Sequence, residues 1–201
     1  KFIENDNETK SYLQKQIDPY KSYPIVLLTG MMGVGKSSIS CCLSGKKLIV
    51  GISGRRKYLV GEGVGVGLNA CTTLPSFLFN SKHHILFVDL PGFEDNRTTE
   101  QEISNAFAHN HIYDLFPNHR KQYKIVLVIS SYDFDATKCT KLIESFARLK
   151  KMFPRYNDIK HSFGVIITKG ENEFTSNDYI DFFNEKYNQT PNPSPEMNEV
   201  H

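Results

Sequence analysis

Ile25-Val26-Leu27-Leu28, followed by Gly30-Met31-Met32-Gly33-Val34-Gly35-Lys36-Ser37, is the stretch that decides the fold. The apolar run reads as a buried strand, and the eight residues after it have the G-x-x-x-x-G-K-S/T spacing of a phosphate-binding loop. A strand, a tight glycine turn and a helix N-terminus aim a row of backbone N–H groups at one spot. Gly30, Gly33 and Gly35 let the backbone curl close to a polyphosphate, and Met31, Met32, Val34 and Ser38 contribute main chain to the same cradle. Lys36 reaches the β- and γ-phosphates, and the Ser37 hydroxyl is placed to bind Mg²⁺.

The rest of the chain is consistent with one α/β domain. Its 201 residues suffice for a sizeable core. The net charge of +2 with scattered basic residues gives no case for a nucleic-acid partner. No apolar run is long enough to span a bilayer and no signal pattern is present, so a cytoplasmic location is expected. Cys41, Cys42, Cys71 and Cys139 lack C-x-x-C spacing and read as reduced thiols. Cys41 and Cys42 are expected to be small core residues. His83, His84, His109 and His111 lack ligand spacing and are read as surface or half-buried side chains.

Residues 1–22 are polar and read as a leader, either a short helix or a linker. The domain is placed at 23–188, and a proline-containing tail at 189–201 is expected to be disordered. The first strand is expected over 23–29, and the helix after it over 36–43, stopped by Gly45. Residues 47–50 read as a short strand, and 61–67 as part of a mobile loop ending at Cys71-Thr72-Thr73. Phe77-Leu78-Phe79 and Ile85-Leu86-Phe87-Val88 form an antiparallel pair by their turn signals. A capping box at Thr99 and Glu102 opens a helix with Ile103, Ala106, Phe107, Ile112, Leu115 and Phe116 on its apolar face. Strands at 125–129 and 163–167 flank a helix carrying Leu142, Ile143, Phe146, Leu149 and Phe153. A last helix begins near Ser176. Continuous apolar strands alternating with helices predict a three-layer fold, its mostly parallel sheet carrying one antiparallel strand and helices on both faces. Ligands of such sheets bind at the C-terminal strand ends, where every motif found here lies.

Asp89-Leu90-Pro91-Gly92 is a D-x-x-G sequence after a buried strand. A strand-end aspartate holds Mg²⁺ directly or through water, and the Gly92 N–H can sense a γ-phosphate. Thr72 or Thr73, in the preceding loop, can close over metal and phosphate and release after hydrolysis. Ser37, Thr72, Thr73 and Asp89 form the expected metal set, and Lys36 with the two threonines the expected catalytic set.

Thr168-Lys169-Gly170-Glu171 ends another buried strand. Here, over roughly residues 23–170, the chain resembles the TRAFAC-class P-loop GTPases, whose base-recognition motif is N/T-K-x-D. The T-T loop and the D-L-P-G-F run look most like the septin-like, GIMAP-like or ribosome-assembly branches. The resemblance implies a G-domain fold, GTP and GDP as ligands, and a lysine stem from Lys169 covering the guanine. Thr168 and Lys169 match the motif, whereas Glu171 replaces aspartate with a longer arm and weakens the expected base contact. The S-A-K-type motif is not visible.

Small signalling GTPases place a water-orienting glutamine where this chain has Phe93, which cannot hydrogen-bond water. Slow hydrolysis is therefore expected, with Glu94 or Asp95 as substitute groups. Arg55, Arg56 or Arg97 are candidates for transition-state charge, in cis or across a homo-dimer or oligomer formed through the nucleotide face. Two other readings stand beside the GTP switch: a nucleotide-bound structural module that hardly turns over, and an ATP-dependent P-loop kinase or ATPase.

Overall fold

The computed structural model describes residues 6–53, 56–60, 74–93, 98–115, 123–132, 140–152, 162–170, 175, 177–178 and 180–181. Its helices are α1 (Asp6–Ile17), α2 (Lys36–Leu43), α3 (Thr99–Asp114) and α4 (Thr140–Met152). Its strands are β1 (Ile25–Thr29), β2 (Ile49–Ser53), β3 (Arg56–Val60), β4 (Ser76–Asn80), β5 (Ile85–Asp89), β6 (Tyr123–Ser130) and β7 (Phe163–Thr168). Five strands form one sheet in the order β4-β5-β1-β6-β7, and β2 and β3 form a separate hairpin. Every pair in the main sheet is parallel except β4 with β5. This is the three-layer α/β architecture that the sequence predicts, a mostly parallel sheet with one antiparallel strand and helices on both faces.

The central strand explains why the apolar run is continuous. Ile25 and Leu27 of β1 join a cluster with Leu13 and Ile17 of α1 and Ile112 and Tyr113 of α3. Val26 and Leu28 join a second cluster with Ile39 of α2 and Ile143, Phe146 and Leu149 of α4. Successive side chains of a strand point to opposite faces, so a strand covered on both sides needs an apolar residue at every position. Leu13 and Ile17, four apart on α1, are both buried and bring this helix onto the core.

Local chemistry sets the turns. Gly45 has φ +80°, and it and Lys46 donate to the carbonyls of Cys42 and Cys41, closing α2 with a Schellman motif. The Asn80 carboxamide oxygen accepts from the N–H groups of Lys82 and His83, each at 3.0 Å, forming the β4–β5 turn. Its amide group donates to Leu43 O at 2.7 Å, tying that hairpin to the end of α2. Thr175 and Asp178 exchange capping hydrogen bonds, while most of the helix expected from Ser176 lies outside the described residues.

Several expectations need correction. The strand at 47–50 is shifted to Ile49–Ser53 and pairs with β3, which has only a short apolar run to mark it in the sequence, through Ile49↔Val60 to Ser53↔Arg56. Ile49, Val50 and Ile52 are exposed on it. β7 is half-buried rather than buried, because it is the outermost strand of the described sheet and leaves Val165 in solvent. Cys41 is buried as expected, but Cys42 is exposed on the outer side of α2. α3 is turned relative to its predicted face: Ile103, Ala106 and Phe107 are exposed, while Asn105, Ala108, His109 and His111 are buried with Ile112. Glu102 N donates to Thr98 O, which makes Thr98 rather than Thr99 the residue preceding the first turn.

Candidate functional site

The loop between β1 and α2 is shaped by close backbone approach. Gly30 has φ +143°, and a Cβ there would sit 2.2 Å from Val128 O on β6. Only glycine lets the loop leave the sheet this way. Gly35, at φ +101°, is the residue before α2, so the first free amides of that helix face the loop. The Lys36 side chain folds back across the loop, donating to Gly30 O at 3.1 Å and Met31 O at 2.8 Å. An ammonium has three N–H donors, so one remains for a phosphate oxygen. Burial pushes Lys36 down to about 8, with the nearby Asp89 carboxylate pulling the other way.

Ser37 and Asp89 meet beside it. The Ser37 hydroxyl donates to Asp89 Oδ2 at 2.6 Å, joining the first turn of α2 to the end of β5. Both groups are hard oxygen donors, one neutral and one anionic, and Asp89 is buried. Mg²⁺ favours this donor type and characteristically takes one or two carboxylates plus substrate phosphates. The pair therefore fits that ion.

A third element arrives from the end of β7. Thr168 Oγ1 lies 2.5 Å from Val34 O and 3.0 Å from Ile129 O, and its single proton serves one of them at a time. Lys169 has φ +56° and donates through Nζ to Gly33 O at 2.9 Å. Ser131 fixes this turn: its N–H donates to Thr168 O at 2.8 Å and its hydroxyl to Lys169 O at 2.6 Å. Thr168 and Lys169 thus rest on the loop between β1 and α2. Ser131 escaped the sequence reading, its only signal being a position just after a buried strand.

The D-x-x-G segment is joined to the same loop. Met32 N donates to Phe93 O and Phe93 N to Gly30 O, both at 3.1 Å. A Cβ on Gly92 would lie 2.7 Å from Met32 Cα, so this position also requires glycine. Phe93 is buried with Met31, Val34 and Leu28, and its ring stacks on His109 with centroids 5.0 Å apart. His109 Nε2 lies 2.9 Å from Pro91 O, and Nδ1 lies 3.1 Å from the Tyr113 hydroxyl. A carbonyl only accepts, so this network assigns the proton to Nε2 and makes Nδ1 the acceptor of the Tyr113 O–H. Burial holds His109 down at about 4 and pushes the Tyr113 phenol up, so both are neutral.

His109 was expected to be a surface or half-buried side chain, and its full burial is the main correction at the site. The carbonyls of Pro91 and Gly92 lie outside any strand ladder and need donors from α3. Polar residues therefore occupy the inward face, and Ile103 and Phe107 turn outward. Asn105 and His109, four apart, were the signal available in the sequence.

Thr72, Thr73 and Glu171 lie outside the described residues, as do Glu94, Asp95, Arg55 and Arg97. Arg56 is placed only by its backbone, in β3. The remaining predicted residues, Gly30 to Ser38, Asp89, Gly92, Thr168 and Lys169, gather around one loop.

No family model matches the chain, and no curated protein matches it. Among solved structures it is similar to an SsGBP variant at 14% identity and TM-score 0.46, covering 93% of this chain and 56% of that one. It is similar to an Aquifex aeolicus Era variant bound to GDP.AlF4- at 15% identity and TM-score 0.38, covering 84% of this chain and 48% of that one. For the G domain of the T. maritima FeoB iron transporter the values are 19% and 0.34, covering 82% and 98%. The chain thus spans about half the length of the first two. Among the described residues no helix is long and apolar enough to cross a membrane.

Proposed function

We propose that the chain is a guanine-nucleotide-binding switch domain with slow intrinsic GTP hydrolysis, stimulated by a partner or a second copy. The observation that carries this reading is the convergence of three separate motifs on one loop. Lys36 lies across it, Ser37 meets Asp89 at one end, and Thr168 touches Val34 from 134 positions away. A phosphate loop alone is common to many nucleotide enzymes; a T-K turn packed on it supports recognition of the base.

In this reading the amides of Gly33 to Ser38 cradle the phosphates and Lys36 donates to the β- and γ-oxygens. Ser37 and Asp89, with Thr72 or Thr73 from the preceding loop, would hold Mg²⁺, which would supply charge neutralisation for the phosphates. Gly92 N–H reads the γ-phosphate. Lys169 covers the guanine and Glu171 accepts from it. Phe93 is committed to the core and to His109, so it does not orient water. Catalytic charge then comes from elsewhere, with Arg55, Arg56 and Arg97 as candidates; an arginine finger contributes about 10³ to 10⁵ in rate.

The burial of Phe93 also favours a second reading, a structural module that holds nucleotide and hardly turns it over. Calorimetric titration of nucleotide-free protein with GTP, GDP and ATP in Mg²⁺ tests the first claim. Guanine nucleotides binding at micromolar or better with ATP silent supports it, and equal ATP affinity overturns it. Turnover rising with protein concentration separates the switch from the module, for which no turnover is expected at any concentration.

A further inference from the structure

α3 grips the D-x-x-G segment at three consecutive residues. His109 Nε2 donates to Pro91 O at 2.9 Å, Asn105 Nδ2 reaches Gly92 O at 3.4 Å, and the His109 ring stacks on Phe93. The far side of the same segment is tied to the phosphate loop by the paired Met32–Phe93 and Phe93–Gly30 hydrogen bonds. Gly92 is therefore held between two bodies, Met32 on one side and α3 on the other. Tyr113, buried one turn along, completes the arrangement by donating to His109 Nδ1. Each donor is satisfied by a specific acceptor, so the geometry is discrete rather than a loose apolar contact.

We infer that Asn105 and His109 are positioning residues for recognition of the γ-phosphate. They touch neither phosphate nor metal. They act by fixing the carbonyls of the two peptides that flank Gly92, Pro91 O and Gly92 O, and so the aim of the Gly92 N–H, which shares a peptide plane with Pro91 O; this rests on the reading under Proposed function. The physical reason is that a hydrogen-bond donor discriminates one phosphate more or less only if it is held in place before the ligand arrives. Released from α3, the segment keeps its tie to the phosphate loop but loses its defined height above it. Binding of a diphosphate, which does not reach Gly92, needs no such aim.

The test compares affinities for GDP and for GppNHp, a non-hydrolysable triphosphate, in Mg²⁺. His109→Phe keeps a ring against Phe93 and removes the donor to Pro91. His109→Gln restores an Nε2 donor of similar reach. Asn105→Ala removes the other arm and serves if His109→Phe does not fold, as judged by circular dichroism. The expected result is GDP affinity within about twofold of wild type and GppNHp affinity roughly tenfold weaker for His109→Phe, with most of the loss recovered by His109→Gln. A smaller loss is expected for Asn105→Ala, whose contact is longer.

Equal weakening of both ligands would mean that α3 merely supports the fold, and would overturn the inference. An unchanged ratio, or a tighter triphosphate, would overturn it too. If the wild type binds ADP and AppNHp instead, only the guanine reading fails, and the ratio is read with that pair. Absence of any nucleotide binding by folded wild type overturns both.

Discussion

Replacing Gly30 with alanine should cost far more than replacing Gly45, although both have positive φ. At Gly45 (φ +80°) an added Cβ meets nothing within 4 Å, so the cost is the left-handed backbone alone, about 1–2 kcal/mol. At Gly30 the backbone lies at φ +143°, in a region that is essentially glycine-only and costs about 1–3 kcal/mol. The Cβ also falls 2.2 Å from Val128 O, where ordinary contact begins near 3.4 Å. Loop and β6 would have to separate by about 1.2 Å, and overpacking of this kind adds about 1–3 kcal/mol. The total for Gly30→Ala is about 2–6 kcal/mol. At about 2–4 °C per kcal/mol for a domain of this size, the midpoint falls by roughly 10 °C. Urea and thermal unfolding of the nucleotide-free protein, followed by circular dichroism, measure both variants. Equal costs for the two substitutions, within about 0.5 kcal/mol, would refute the claim that close approach to β6 is what makes Gly30 a glycine.

Three further outcomes are expected. His109 is held at about 4 by burial against an ordinary 6.5, so the unfolded chain binds the extra proton between those values. Its contribution is fully present above pH 6.5 and lost as pH falls from 6.5 to 4, up to about 3 kcal/mol. Unfolding free energies across that range should fall less steeply for His109→Gln than for wild type; parallel curves would contradict the assignment. Removing Mg²⁺ with a chelator should weaken GDP binding of the wild type at least tenfold, whereas Asp89→Asn should bind weakly with or without the ion, and calorimetry reads both. Thr168→Val should lower stability by about 1 kcal/mol through the lost hydroxyl contact and weaken nucleotide binding several-fold; an unchanged titration would mean that this turn does not position the loop.

What the sequence determined by itself was the sheet and the glycine-rich loop after β1. β1, β5 and β6 are buried on both faces, so their apolar runs are continuous and stand out at any register. The glycine spacing before Lys36 and the aspartate at the end of β5 are local requirements of backbone and charge, written in adjacent residues. Asn80 and Gly45 likewise encode their own turns. What only the tertiary structure decided was the inward face of α3. Its apolar residues predict one face, but the unladdered carbonyls of Pro91 and Gly92 need donors more than the core needs Ile103 or Phe107. Burying an unpaired carbonyl costs about 1–3 kcal/mol, comparable to what burial of one such side chain returns. Helical periodicity records which residues share a face, whereas the carbonyls waiting opposite it come from a distant segment of the chain. The same holds for Ser131 and for Thr168 on Val34, whose contacts exist only once β6, β7 and the loop after β1 have been brought together.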